Sequence, residues 1–281
     1  MTLGFSNWLV SLVVAVALML THGSAVAAPD AKLQEFWLPH DEASTRQVSH
    51  QAWQDILDKY LDTEHASGVN RFDYAALKKT DRKRLGGYLD SLQAIDPSRL
   101  SRAEQFPYWV NLYNALTVQV VLQNFPVDSI RSIRFWASPF GPWDKNLLRI
   151  KNKKLSLNDI EHGILRPIWK DPRIHFAVNC ASIGCPNLIG QAFSAVNSEQ
   201  LMEAAASDFI NHSRALEIRG DAVKLSSIFD WYGADFGANE SEIMDYIGRY
   251  LDRSSKAVEG RSKFSSITKF EYHYDWVLNK P

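Results

Sequence analysis

Ala103 to Phe125 reads AEQFPYWVNLYNALTVQVVLQNF, and Ser101-Arg102 precedes it. Ser101 with Glu104 three residues on is a capping-box pattern, so a helix opens there. Pro126 closes it. Apolar residues fall on nearly every side of the run, which predicts a central, buried helix. Asn111 and Asn114 are three apart and share a face. A buried amide left without a partner costs about 1–3 kcal/mol, so both need one. Pro107 lies inside the run and removes a helical hydrogen bond, which predicts a separate or kinked first turn.

Working outward, Ser156 with Asp159 opens a second capped helix, SLNDIEHGILR, which carries Glu161 and His162 and is expected to end before Pro167. His162 is expected on its surface. Asp171-Pro172 marks a turn, and RIHFAVN (Arg173 to Asn179) then alternates. Ile174, Phe176 and Val178 would face one way, His175, Ala177 and Asn179 the other, which predicts a strand. It runs into a turn-rich loop, CASIGCPN, from Cys180. Helical spacing marks Gln51–Leu61, Arg84–Ile95, Ser198–Asn211, Ile228–Phe236 and Ser241–Leu251. Val69–Tyr74 and Leu147–Ile150 read as extended, a hairpin turns at Gly220-Asp221, and Thr268–Tyr274 alternates. Arg134–Asp144 is an aromatic loop with Trp136, Phe140 and Trp143, read as core cover. The sum is an α+β chain: a single mixed domain with helices packed around a small, mainly antiparallel sheet.

At the N-terminus, Trp8–Leu20 is almost unbroken apolar sequence, followed by a small-residue pattern at Ala25-Val26-Ala27. The run is shorter than the roughly 20 residues that span a bilayer. A secretory signal over residues 1–27 is therefore expected, and with it a periplasmic or secreted location. The absence of a basic residue before the run leaves an uncleaved anchor as the alternative. The formal charge is −1 with no basic stripe, which argues against nucleic acid as a partner. The two cysteines, Cys180 and Cys185, are expected to form a disulfide in an exported protein.

Asn111, Asn114, Glu161, His162, His175, Asn179 and Cys180 bring polar groups into apolar surroundings. Thiol chemistry needs a thiolate, a base, a group that orients the base, and an oxyanion donor. Cys180 is the candidate nucleophile, His175 or His162 the base with His273 in reserve, and Glu161 the orienter. Asn114 or Asn179 would position the site or hold the oxyanion, with the backbone N–H groups of 181–184 as a possible nest. An extended strand puts His175 and Cys180 about 16 Å apart on opposite faces, so pairing them requires a sharp bend near Asn179. The same residues also fit a buried polar network that fixes the fold. No pair among them has a familiar zinc spacing, so no metal and no cofactor are assigned.

Several separate pieces resemble the family known as domain of unknown function 547: YWVNLYNAL (108–116), SLNDIEHGILR (156–166), DPRIHFAVNCASIGCPNL (171–188), LSSIFDWYGADF (225–236) and YDWVLN (274–279). The resemblance implies a domain over 69–281, preceded by a signal over 1–27 and, over 28–68, an extension with one helix. It implies a fold but assigns no activity. Two functions follow from the residues: a non-catalytic binding or assembly module for a peptide, cell-wall or protein partner, and, as the alternative, a thiol-dependent hydrolase or acyltransferase acting on amide bonds.

Overall fold

A computed structural model describes residues 29–134, 141–251 and 267–281. The expected signal over residues 1–27 and residues 135–140 of the aromatic loop lie outside the described residues. In chain order the helices are α1 (Gln51–Tyr60), α2 (Lys79–Gln93), α3 (Arg102–Asn124), a π-helix (Asp159–Leu165) continuing into α4 (Arg166–Trp169), α5 (Ile174–Ala177), α6 (Ser198–Ile210), α7 (Ile228–Trp231), α8 (Gly233–Phe236) and α9 (Glu240–Tyr250). The strands are β1 (Leu61–Asp62), β2 (Arg71–Phe72), β3 (Leu148–Ile150), β4 (Lys153–Leu155), β5 (Leu216–Arg219), β6 (Ala222–Ser226) and β7 (Lys269–His273). The fold is α+β, but the strands make three small sheets rather than one: β1-β2, β3-β4 and β5-β6-β7. All pairings are antiparallel except β6 with β7.

The central helix forms because its cap works: the Glu104 N–H donates to Ser101 Oγ at 3.3 Å. It is unbroken from Arg102 to Asn124, so Pro107 does not split off a first turn. Only the bond to the Ala103 carbonyl is lost, and packing holds the rest. Residues 105–118 of α3 are all buried.

Two apolar cores meet in the described chain. The first surrounds α3 with α1, α2 and the π-helix; the second joins α6, the β5-β6 hairpin and α9. The segment read as a strand is instead α5, a single helical turn. Asp171 sets it up: its carboxylate accepts the Arg173 N–H at 2.9 Å and its carbonyl the Ile174 N–H at 3.1 Å. The alternation carried no information about faces, because residues 174–178 are buried on every side. Ile174 and Ala177 belong to the first core and Phe176 to the second. The turn bearing His175 is therefore the seam between the two.

The helix from Ser156 also differs from its sequence reading. Its capping box forms, with the Ser156 N–H and Oγ–H both donating to Asp159 Oδ2 at 2.8 and 2.7 Å. It then widens and continues through Pro167 to Trp169. In this register the Arg166 N–H donates to the Glu161 carbonyl, five residues back. The corresponding donor for the His162 carbonyl would be residue 167, a proline without an N–H. The N-terminal extension fills this vacancy: the Lys32 N–H donates to His162 O at 2.9 Å and the Gln34 N–H to Gly163 O at 3.0 Å. Gly163 permits that approach, since a Cβ there would lie 2.6 Å from Gln34 Nε2.

Candidate functional site

The Cys180 loop is built by asparagines. Asn114 Nδ2 donates to Ala177 O at 2.9 Å, and its Oδ1 accepts the Asn179 N–H at 2.8 Å. Asn179 Oδ1 in turn accepts the Ala181 N–H at 2.8 Å, and Nδ2 donates to Pro186 O at 2.7 Å. These bonds turn the chain sharply after Val178 and force Ala181 to φ +60°. A left-handed non-glycine residue costs about 1–2 kcal/mol, so the turn is held against a local preference. Cys180 stands at its corner, partly exposed.

The Cys180 sulfur lies 2.9 Å from Tyr274 Oη and 3.2 Å from Ser182 Oγ, and these two hydroxyls are 2.9 Å apart. The expected disulfide is not formed: both cysteines are thiols. The Cys180 N–H donates to Cys185 Sγ at 3.1 Å instead. A hydrogen bond from the Cys185 thiol pulls the Cys180 pKa below its ordinary value; Ser182 and Tyr274 add to this against the opposing effect of burial. Burial pushes the Cys185 thiol the other way, well up. The loop packs on the C-terminal segment, with the Ile183 N–H donating to Val277 O and the Gly184 N–H to Asp275 O, both at 2.8 Å. Gly184 allows this, because a Cβ there would meet the Asp275 nitrogen at 2.6 Å.

A second polar group forms around the seam. His175 Nε2 is 2.7 Å from Asp235 Oδ2, and its ring stacks on Tyr232 at 4.1 Å. Among the described residues His175 Nδ1 has no hydrogen-bond partner; it lies 3.8 Å from Glu161 Oε1. Glu161 Oε2 accepts the Tyr113 hydroxyl at 2.8 Å. Arg166 Nε donates to Asp235 Oδ2 at 2.6 Å, and its Nη1 lies 3.0 Å from His162 Nδ1. An arginine only donates, so His162 Nδ1 is the acceptor and its proton sits on Nε2. Burial lowers the His162 pKa, in keeping with a neutral ring. Partial burial works to raise the Asp235 pKa, but the His175 and Arg166 contacts outweigh it and hold the carboxyl well below the usual range. Arg166, Lys170, Asp171 and Asp235 line an open cleft of about 430 Å³, with Ala31 and Leu33 of the extension on its rim.

Among the predicted residues, Glu161, His162 and His175 come together, and Asn114, Asn179 and Cys180 share the loop. His162 is 5 % exposed, not on the surface as its helical reading implied. Asn111 serves elsewhere, pairing with the Phe193 backbone through both amide groups at 2.8 and 3.0 Å. The sulfur of Cys180 bonds hydroxyls, and no histidine is bonded to it among the described residues. His273 Nδ1 is 2.9 Å from the Leu225 carbonyl. The proposed nest is largely spent, since the Ala181, Ile183 and Gly184 N–H groups all have acceptors. Sequence reasoning missed Arg166, Asp235, Tyr113, Tyr232, Ser182 and Tyr274. Arg166 is within reach of the sequence, four residues from His162 on one helix; nothing local separates Tyr232 and Tyr274 from ordinary core aromatics.

The model of the family described as "Protein of unknown function, DUF547" matches residues 97–210. That stretch holds α3, the π-helix, α5, the Cys180 loop and α6; the segments supplying Asp235 and Tyr274 follow it. No curated protein and no solved structure matches the chain. From Pro97 to Ile210, the region that holds the central helix and the cysteine turn, the chain is similar to the DUF547 family.

Proposed function

We propose that the protein is an exported thiol-dependent enzyme that cleaves or transfers acyl groups at amide bonds, with Cys180 as nucleophile. The observation that carries this reading is the strained turn from Asn179 to Ala181, which holds a partly exposed sulfur against the Tyr274 and Ser182 hydroxyls. Hydrogen bonds to sulfur favour the thiolate, the reactive form, and reduce the need for a histidine bonded to it. The sulfur adds to the substrate carbonyl carbon, the amine leaves with a proton, and water or a second amine then takes the acyl group from the thioester. Export is supported by the apolar run and small-residue pattern of residues 1–27. Among the described residues no helix is long and apolar enough to cross a membrane.

A small aryl ester tests this reading. The reduced protein should release one equivalent of phenol in a burst and carry the acyl group on Cys180; the Cys180→Ser variant should give no burst. A folded wild-type protein that neither bursts nor acylates would sink the enzyme reading.

One observation favours the second reading, a binding or assembly module for a peptide, cell-wall or protein partner. Asn111, Asn114 and Asn179 spend their amides on backbone, and His175 is tied to Asp235 rather than to sulfur. In that case the cleft beside Arg166 and Asp235 is where a partner's polar groups would seat.

A further inference from the structure

Cys185 does not attack the substrate in the acyl chemistry, yet its sulfur accepts the Cys180 N–H at 3.1 Å, which sets the two cysteines side by side. The two thiols are unlike. Cys180 is partly exposed, whereas Cys185 is buried, 4 % exposed. An accessible thiol with a sheltered partner held beside its own backbone is the arrangement needed for two-step disulfide exchange, in which one sulfur attacks and the other resolves. A purely structural bridge has little to do here. The Cys180–Cys185 loop is already fastened by Asn179 to Ala181 and Pro186, and by Ile183 and Gly184 to the 275–277 backbone.

We infer that Cys180 and Cys185 are a redox-active dithiol that reacts with disulfides, low-molecular-weight or protein-borne. The inference rests on the reading of Cys180 as a nucleophile and adds a second activity to that sulfur. In the first step the Cys180 thiolate bonds one sulfur of the incoming disulfide, whose S–S bond breaks and whose other sulfur leaves as a thiolate with the electron pair. In the second, Cys185 gives up its proton and bonds the Cys180 sulfur, displacing the remaining thiolate. The protein dithiol loses two electrons and two protons; the disulfide gains both and becomes two thiols. The product is an internal disulfide in which Cys180 is unable to attack a carbonyl, so the oxidation state of the pair sets whether the acyl chemistry is available.

The test uses the full reduced protein, oxidised glutathione as probe, acid quenching and mass spectrometry. Wild type should lose the mass of two hydrogens and keep no glutathione. Cys185→Ser and Cys185→Ala should stop at a glutathione adduct mapped to Cys180, and Cys180→Ser should not react. Two cysteine-185 variants guard against one that fails to fold, checked by circular dichroism. The inference is overturned if wild type keeps a stable glutathione adduct, stays reduced in excess oxidised glutathione, or behaves like the Cys185 variants. Alkylation of reduced Cys180 by iodoacetamide near neutral pH separates the two readings. Alkylation without oxidation leaves the nucleophile and removes the pair; inertness to both reagents removes both.

Discussion

Truncating Asn114 to alanine should both destabilise the domain and loosen the cysteine turn. The side chain is 3 % exposed and makes two bonds, one to the Ala177 carbonyl and one from the Asn179 N–H. Both partners are buried, so removing the amide orphans an acceptor and a donor together. Each such group costs about 1–3 kcal/mol, giving about 2–6 kcal/mol for the pair. A domain of this kind has about 5–15 kcal/mol in all, so the loss is a large share. Urea unfolding should show it as a lower midpoint at unchanged slope. The same variant should raise the thiol pKa of Cys180, read from the pH dependence of its alkylation, because the sulfur loses its fixed place against Tyr274 and Ser182. Asn111→Ala is the control. It breaks an equivalent buried pair of bonds to Phe193 and should cost a similar amount, with the alkylation profile left where it is. An Asn114→Ala protein within about 0.5 kcal/mol of wild type, the range of an ordinary surface change, would refute the reasoning. So would an Asn111→Ala protein that shifted the thiol as far.

Tyr274→Phe removes the hydroxyl 2.9 Å from the Cys180 sulfur and should move the alkylation profile to higher pH, with little change in the urea midpoint. His50, hydrogen-bonded to Tyr88 at 2.6 Å, has its pKa lowered by burial from 6.5 to about 4, so the unfolded chain takes up this proton first as pH falls. Its contribution is therefore fully present above about pH 6.5 and lost progressively down to about pH 4. At 1.36 kcal/mol per unit the shift corresponds to about 3 kcal/mol, and urea titrations of wild type and His50→Gln across that window should differ by an amount of that order.

How much of this was legible depends on where each signal resides. The caps at Ser101 and Ser156 are readable because a capping box is local: Ser156 and Asp159 make both reciprocal bonds, whereas at Ser101 only the hydroxyl half forms and the Glu104 carboxylate accepts the Val48 N–H instead. The hairpin at Gly220-Asp221 was readable for the same reason. The α5 turn differs from its reading as a strand because a run buried on all sides has no preferred period, and only the bond from the Arg173 N–H to the Asp171 carboxylate distinguishes turn from strand. The π-helix was misread because its widened register is set by Pro167 and by the extension packed against it, neither of which alters the apolar pattern.

The site itself was half visible, and the missing half follows a rule of sequence separation. Cys180, Glu161, His162 and His175 lie close together along the chain and were picked out as a group. Their completing partners arrive from far off: Asp235 is 60 residues from His175, and Tyr274 is 94 from Cys180. Nothing local marks either one, since an aspartate in a helical turn and a tyrosine beyond a strand serve equally as cap and core. What selects them is the seam. Phe176 anchors α5 in the second core, while Ile174 and Ala177 anchor it in the first. Packing the cores together thus places Asp235 and Tyr232 on His175, and the C-terminal segment on the cysteine turn, where Tyr274 reaches Cys180. The polar site is a consequence of how two apolar cores meet. A variant that weakens the second core without touching a polar residue should therefore disturb the sulfur as well.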